Sequence, residues 1–160
     1  MIRCKHKGLA MSLDVAVVAV CVCLLAIIGL YGFQSYIKTA KINRAKADTA
    51  ALALAVSQYA YDLENSYPSY TAAQCLPANL VALESQHAAS KKGPWLSGNA
   101  MKKSGTTYLD PWGRGYVYTH GSGNDGRFVV YSKGPDGNGT VTTAGVASSN
   151  GIGSSGGFSK

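Results

Sequence analysis

Apolar positions are concentrated in one block near the N-terminus, and this block has the length of a membrane span. Residues 15–33 contain no charged side chain. As an α-helix they would extend roughly 28 Å, at about 1.5 Å per residue, which is close to the ~30 Å hydrocarbon thickness of a bilayer. A cleaved secretory signal has a shorter apolar region, followed by a small-residue cleavage site. The pattern therefore predicts an uncleaved apolar helix over residues 9–33, preceded by a short basic leader at residues 1–8.

The helix is predicted to continue in an amphipathic form over residues 34–65. Neither Pro nor a cluster of turn residues interrupts this stretch, and Ala, which favours helix, is abundant. Apolar residues at spacings of four, three and four positions share one face of a helix. The residues with this spacing are Leu52, Val56, Tyr59 and Leu63. We predict one helix from Asp14 to Asn65, which ends because Pro68 disfavours helical backbone at the residue before it.

The rest of the chain predicts a small β structure between two less regular stretches. Residues 66–109 are expected to be irregular, apart from a short helix over residues 76–85 with Pro77 in its first turn. Lysines in the loop at residues 86–107 are expected to be solvated. The tail, residues 138–160, is rich in Gly, Ser and Thr, and we expect it to be loosely ordered or wrapped around the domain.

Residues 110–137 predict a β-hairpin. The sequence Asp110-Pro111-Trp112-Gly113 has the residue types of a type I turn. Two short β-branched and aromatic runs, residues 116–118 and 128–131, are separated by a Gly-rich loop at residues 121–126. Two strands alone are marginally stable, so the hairpin has to pack on the helix. The predicted fold class is α+β, with one long N-terminal α-helix against a small antiparallel β-sheet.

The distribution of charge indicates a membrane boundary on each side of the apolar block and argues against nucleic-acid binding. The chain of 160 residues has 15 basic and 8 acidic residues, for a net charge of +7. Basic side chains stand on both sides of the apolar block, as interfacial charges do. A nucleic-acid surface would instead be a basic face interleaved with aromatic residues. Nucleic-acid binding is therefore not expected as the main function.

The candidate chemical groups do not predict an enzyme. The three histidines, His6, His87 and His120, have no acidic partner at the spacing of a metal site or a catalytic triad. The loop at residues 121–126 lacks the Lys and the following helix of a phosphate-binding loop. The four cysteines form no CxxC pair, so they are expected to be small apolar residues in packing. Pairing of Cys75 between chains stays open.

Five short motifs, in this order, carry a resemblance to a known family. They are Tyr67-Pro68, Gly93-Pro94-Trp95-Leu96, Asp110-Pro111-Trp112-Gly113, Tyr116-Val117-Tyr118 and Tyr131-Ser132-Lys133-Gly134-Pro135-Asp136-Gly137. Together with the basic leader and the long helix, they resemble type IV pilins, and the C-terminal half is most similar to the major pseudopilin of type II secretion. The resemblance covers about residues 8–138.

The resemblance implies a structural subunit and not a catalyst. Such a subunit is a single-pass inner-membrane protein before assembly, is processed by a prepilin peptidase, and meets an inner-membrane assembly platform. It then polymerises through its N-terminal helix with identical subunits, into a helical homopolymer that is periplasmic or on the cell surface. A membrane-anchored binding module that does not polymerise, and a subunit of a DNA-uptake pilus, stay open as alternatives, as does the choice between pilus and pseudopilus.

The resemblance also assigns roles near the N-terminus. It places leader cleavage between Gly8 and Leu9. The family has a Glu at the fifth mature position, where it pairs with the freed N-terminal amine of a neighbouring subunit. Here Asp14 is the sixth residue after Gly8 and takes that role. The alternative is that Ser12 or Asp14 caps the helix. Gly29 and Gly32 are the expected weak point of the helix, because glycine costs about 1 kcal/mol relative to Ala in a helix interior.

A calcium site is implied by the resemblance, in the loop that follows Tyr131. Asp136 and the side chain of Asn138 would be its ligands in this chain. The family usually has a further acidic cluster there, which this chain lacks. Calcium requires six to eight oxygen ligands, usually with several carboxylates. We therefore expect no tightly bound calcium and no other cofactor, with Asp136 bonding its own backbone in a turn.

Overall fold

One α-helix, α1 (Lys7–Ser66), accounts for 60 of the 160 residues. The computed structural model describes residues 7–142 and 150–157, and for residues 7–13 and 29–31 it describes the backbone alone. The helix begins earlier than the predicted start at Asp14 and ends one residue after the predicted Asn65. Most of the predicted leader, residues 1–6, lies outside the described residues. The chain divides into two compact units, of which the first ends at Ala40 and the second begins at Lys41.

Within the second unit, α1 buries one face. Leu52, Val56, Tyr59 and Leu63 are all buried, as their spacing predicted. Small residues between them, mainly alanines, let the sheet and the loops approach the helix closely. The helix ends where the Tyr67 amide donates to the Leu63 carbonyl at 2.8 Å, immediately before Pro68.

The segment after the helix holds more regular structure than its sequence predicted. Two 3₁₀ helices span Ala73–Cys75 and Leu80–Glu84. The second begins after Asn79, whose side chain accepts from the Ala82 amide at 3.0 Å, so Pro77 precedes the helix and does not lie in its first turn. Two short antiparallel strands follow, β1 (Lys103–Ser104) and β2 (Thr107–Tyr108), in a stretch expected to be a loop.

Glu84 fastens these two strands to the second 3₁₀ helix. Its carboxylate accepts from Lys103 Nζ at 2.7 and 2.8 Å and from the Tyr108 hydroxyl. The hydrogen bonds from Lys103 and Tyr108 hold the pKa of Glu84 below its ordinary value. Burial, together with the bond to Glu84, raises the pKa of Tyr108. The cluster therefore stays intact at neutral pH, with Glu84 charged and Tyr108 protonated.

A three-stranded antiparallel sheet packs on α1. Its strands are β3 (Val117–His120), β4 (Phe128–Ser132) and β5 (Ile152–Gly156), in the order β3-β4-β5. All five residues of β4 are buried. Phe128 and Val130 belong to the main core with the helix, while Val129 and Tyr131 form a second cluster with Val141 on the other face. The central strand is thus covered on both faces.

The third strand, β5, lies in the tail that we expected to be loosely ordered or wrapped around the domain. Gly153 is paired with Tyr131, and Gly156 with Phe128. A Cβ atom at Gly153 would lie 2.7 Å from the Tyr131 Cβ, and one at Gly156 would lie 2.6 Å from the Phe128 ring. Glycine lowers the strand propensity of this segment, so the strand was not expected from the sequence. The same glycines are required by its close packing on β4. Residues 143–149 and 158–160 of the tail lie outside the described residues.

Polar contacts connect the loops and the sheet to α1. The Trp95 indole donates to Asp62 Oδ2 at 2.7 Å, and Lys92 Nζ lies 3.3 Å from Asp62 Oδ1. Tyr116 donates from its hydroxyl to Asp48 Oδ2 at 3.0 Å, and burial together with the charge of Asp48 raises the Tyr116 pKa. The architecture is α+β, with a long N-terminal helix packed against small antiparallel sheets, which confirms the predicted fold class.

Because its pKa is lower in the folded state, Glu84 should make stability depend on pH. The stabilisation that ionised Glu84 gives the folded state is fully present above the ordinary Glu pKa of 4.5. It is lost as the pH falls through the lower pKa that Glu84 has in the folded state. We expect Glu84→Gln to destabilise the protein at pH 7 and to make little difference once Glu84 is protonated. Unfolding followed by tryptophan fluorescence between pH 2 and pH 7 tests this. Glu64→Gln, at a partly exposed helix position, is the matched control, and equal pH profiles for both variants would contradict the prediction.

Candidate functional site

The first candidate surface is the apolar half of α1. Its large side chains are exposed, with Phe33 at 62 % and Tyr36 at 73 %. Valines and leucines between residues 15 and 28 are likewise more than half exposed. α1 is the one described helix that is long and apolar enough to cross a membrane, by length and composition. This surface can enter lipid or pack against other apolar helices.

Asp14 stands at the N-terminal edge of this surface, and its side chain is exposed. The helix begins at Lys7, so Asp14 lies inside the helix and does not cap it. Among the side chains that the structure describes, none forms an ion pair with Asp14. Gly8 and Leu9, the predicted processing site, lie in the first turn of the helix, where the backbone alone is described.

Gly29 and Gly32 lie within the continuous helical backbone of α1. A Cβ atom added at Gly32 would meet no atom within 4 Å. No close packing in the single chain therefore requires glycine at residue 32. The bend that we expect in this part of the helix after assembly stays a prediction.

A second exposed surface lies on α1 within the folded unit, and the sequence analysis missed it. Leu54 is 60 % exposed and Tyr61 is 67 % exposed, on the helix face opposite the core. Next to Tyr61 is a cleft of about 340 Å³, whose lining includes Gln58 and Phe128. Leu54 and Tyr61 are seven positions apart, so they share one helix face, separate from that of Leu52 and Val56. This spacing could have identified the surface from the sequence.

Asp110 is a buried carboxylate of the second unit, 4 % exposed, that accepts three hydrogen bonds. Its Oδ1 accepts from the backbone amides of Trp112 at 3.0 Å and of Arg114 at 2.8 Å. Its Oδ2 accepts from the Ser132 hydroxyl at 2.6 Å, and Ser132 Oγ in turn accepts from the Gly134 amide at 3.1 Å. Asp110 thus joins the predicted Asp-Pro-Trp-Gly turn to the end of β4.

Arg114 extends this connection to the loop of residues 133–139. The Nη2 group donates to the carbonyl oxygens of Gly134 at 2.8 Å and of Pro135 at 2.7 Å. Arg114 belongs to none of the motifs or candidate sites recognised in the sequence. A lone charged residue between two glycines, in a stretch otherwise aromatic and apolar, was the signal that marked it.

Asp136 and Asn138 lie in this loop, as the sequence placed them. The Asn138 amide donates to Asp136 Oδ1 at 3.2 Å, which is the turn expected from the sequence. Asp136 Oδ2 accepts from the Asn150 side chain at 2.6 Å, so the loop also contacts the returning tail. Asp125 is in a different loop, where its carboxylate pairs with the Arg127 guanidinium at 2.9 and 3.0 Å.

The groups considered for catalysis have structural contacts instead. His87 packs edge-on against the rings of Tyr59 and Tyr67, and its Nδ1 accepts from the Ser90 amide at 3.4 Å. His120 Nδ1 lies 2.7 Å from the carbonyl oxygen of Gly121. Cys75 is fully buried in the main core, which leaves its thiol no access to another chain. His6 lies outside the described residues.

A long helix with an exposed apolar half, joined to a small antiparallel β unit, defines a pilin-like class of protein. The family model described as type II secretion system (T2SS), protein G, matches residues 33–149. The chain therefore belongs to the type II secretion protein G family, the major pseudopilins, as its motifs indicated. Neither among curated proteins nor among solved structures was a significant match found.

Because Asp110 is the acceptor for three donors, its removal should be costly. Asp110→Ala leaves two backbone amides and the Ser132 hydroxyl without this acceptor, at about 1–3 kcal/mol for each buried unsatisfied group. We expect a loss of about 3 kcal/mol or more in the free energy of unfolding, measured by urea denaturation. Ser132→Ala should cost less, about 1–2 kcal/mol. The control is the exposed Ser122, where Ala should change stability by less than ~0.5 kcal/mol; equal effects at all three positions would refute the assignment.

Proposed function

We propose that this chain is the repeating subunit of a type II secretion pseudopilus and that it polymerises through α1. The exposed apolar half of α1 is the observation that carries this proposal. Membership of the protein G family gives the secretion system. The second unit supplies the folded domain that each subunit carries.

Apolar surface exposed to water carries a free-energy cost. Apolar side chains are driven out of water at roughly 25 cal/mol per Å² of buried surface. Before assembly, the bilayer covers the apolar half of α1, in a single-pass inner-membrane arrangement. On assembly, the same half of identical subunits replaces lipid, because helices associate in lipid through close packing at small residues. Ala16, Ala19 and Ala26 provide such positions in this helix.

Asp14 provides the polar contact in this scheme. A carboxylate at the edge of a membrane segment is costly unless it is paired. We propose that it pairs with the N-terminal amine of a neighbouring subunit, freed when a prepilin peptidase cuts between Gly8 and Leu9. Because the helix runs through Asp14, its carboxylate is available to another chain. An inner-membrane assembly platform would then extract the paired subunit into a periplasmic filament.

The second exposed surface, around Leu54 and Tyr61, fits this arrangement. A filament subunit has to contact its neighbours outside the membrane segment as well, and contiguous exposed apolar patches mark such contacts. Asp62, Asp110 and Asp125 of the second unit are engaged in hydrogen bonds or ion pairs, which favours a structural role over an enzymatic one. Calcium or another cofactor is not part of the proposal.

The decisive experiment compares the full chain with a form that lacks residues 1–33. We expect the full chain to yield filaments when expressed with the secretion machinery, seen by electron microscopy of sheared material. The shortened chain should be soluble and monomeric by light scattering, because the core of the second unit contains no residue before Ala45. Filaments from the shortened chain would overturn the helix-based mechanism. A full chain that stays in the membrane as a monomer would favour an anchored binding module, and filaments that bind and import DNA would favour a DNA-uptake pilus.

Substitution of Asp14 separates assembly from insertion. With Asp14→Asn, a neighbour's amine is left unpaired in an apolar environment, at a cost of about 2.5–3.5 kcal/mol on insertion scales. We therefore expect filament yield to fall at least ~10-fold, since each 1.4 kcal/mol is a factor of ten. Membrane insertion, measured by carbonate extraction, should be unchanged. Asp125→Asn makes the same chemical change in a loop of the second unit, where Asp125 pairs with Arg127, and should assemble normally; normal filaments from Asp14→Asn would exclude the pairing role.

A further inference from the structure

The loop of residues 133–139 is held by hydrogen bonds at its base and across its interior. At the base, the Gly139 amide donates to the Lys133 carbonyl at 2.8 Å. In the interior, Arg114 Nη2 lies within hydrogen-bond distance of the Gly134 and Pro135 carbonyl oxygens. The positive charge of the guanidinium therefore faces two backbone oxygens, of which the Gly134 oxygen also accepts from the Gly137 amide at 3.3 Å.

We propose that the guanidinium of Arg114 is the cation that closes this loop, in the place that the family resemblance gives to calcium. The subunit would then carry its own permanent charge at this position. Its stability would not depend on a metal ion. This inference concerns the folded unit alone and is independent of whether the chain polymerises.

In the part of the chain that the structure describes, the oxygen atoms near the loop do not fit a calcium ion. Calcium requires six to eight oxygen ligands. Both carboxylate oxygens of Asp136 already accept hydrogen bonds, from Asn138 and from Asn150. The carboxylate of Asp110 is likewise occupied, by two backbone amides and Ser132. Among the described residues, no group of three or more His, Cys, Asp or Glu side chains could hold a metal ion.

The position of Arg114 is fixed from its backbone. The Arg114 amide donates to Asp110 Oδ1 at 2.8 Å, and the Asp110 amide donates to the Arg114 carbonyl at 2.7 Å. The side chain therefore starts from a rigid turn. Both hydrogen bonds from this side chain to the loop come from Nη2, and its Nε is buried without a hydrogen-bond partner. Arginine is protonated at every physiological pH, and its charge repels a divalent cation from the same oxygens.

Gly137 shapes the loop around this guanidinium. Its φ angle is +80°, a conformation that residues with a side chain rarely adopt. A Cβ at this position would contact Arg114 Nη1 and would lie 3.1 Å from Arg114 Cζ. Glycine is thus required both by the backbone conformation and by the space that the guanidinium occupies. The bond from the Asn138 amide, the Asn150 side chain and the Arg114 charge together lower the pKa of Asp136, so the loop carries a carboxylate beside the guanidinium.

Calcium dependence of the full chain in detergent tests the proposal directly. We expect the same thermal midpoint in excess EGTA and in millimolar CaCl₂. We expect Arg114→Gln to lower the midpoint by several degrees in both solutions. It should also speed amide exchange of the peptide covering residues 133–142 at least ~10-fold, which corresponds to about 1.4 kcal/mol. Arg114→Lys, which keeps a donor and a charge, should restore part of the protection.

The matched control is Lys133→Gln, which removes one positive charge from the loop itself. The Lys133 side chain is exposed, so exchange in the peptide and the midpoint should stay close to those of the original chain. If Arg114→Gln does not fold, Gly137→Ala provides a second perturbation, with the same faster exchange expected. A calcium-dependent rise of many degrees in the midpoint of the original chain would overturn the proposal. Equal loop exchange in the Arg114→Gln and Lys133→Gln variants would overturn it as well.

Discussion

The exposed apolar side chains in the first half of α1 impose the main physical constraint on this protein. Between residues 14 and 28 the helix presents valine, leucine and isoleucine in a stretch without a second charge after Asp14. Water is an unfavourable environment for such a surface, which is suited to lipid or to other apolar surfaces. The second unit has to fold without using these residues. Its core begins at Ala45 and is complete within its own part of the chain.

In the second unit, the physical constraint is the stability of a short sheet. Three small strands on one side of a helix bury little surface, and their central strand would be exposed on its outer face. Here the chain returns after the 133–139 loop, so that Val141 covers Val129 and Tyr131. β5 then pairs with the free edge of β4. Val141 and β5 are therefore integral to the folded unit.

Two of the family motifs form a single hydrogen-bonded structure. The Asp-Pro-Trp-Gly turn contributes the Asp110 carboxylate, and the Tyr-Ser-Lys-Gly-Pro-Asp-Gly segment contributes Ser132 and the loop carbonyls. Arg114 follows the first motif directly and reaches the second with its side chain. In this chain the two motifs satisfy each other's buried polar groups, since either one alone would leave such groups without partners.

The sequence by itself determined the long helix, its buried face, the β3–β4 hairpin and the family, because each is encoded by residues close together in the chain. Periodicity identified Leu52, Val56, Tyr59 and Leu63, and turn residues identified the motifs that carry the resemblance. Only the tertiary structure decided the third strand and the role of Arg114. The residues of β5 have low strand propensity, and glycine is needed there because Phe128 and Tyr131 lie directly against it. The partners of Arg114 are carbonyl groups twenty residues further along the chain, brought near by the Asp110 turn. Contacts of this kind depend on how distant segments meet, which local pattern does not specify.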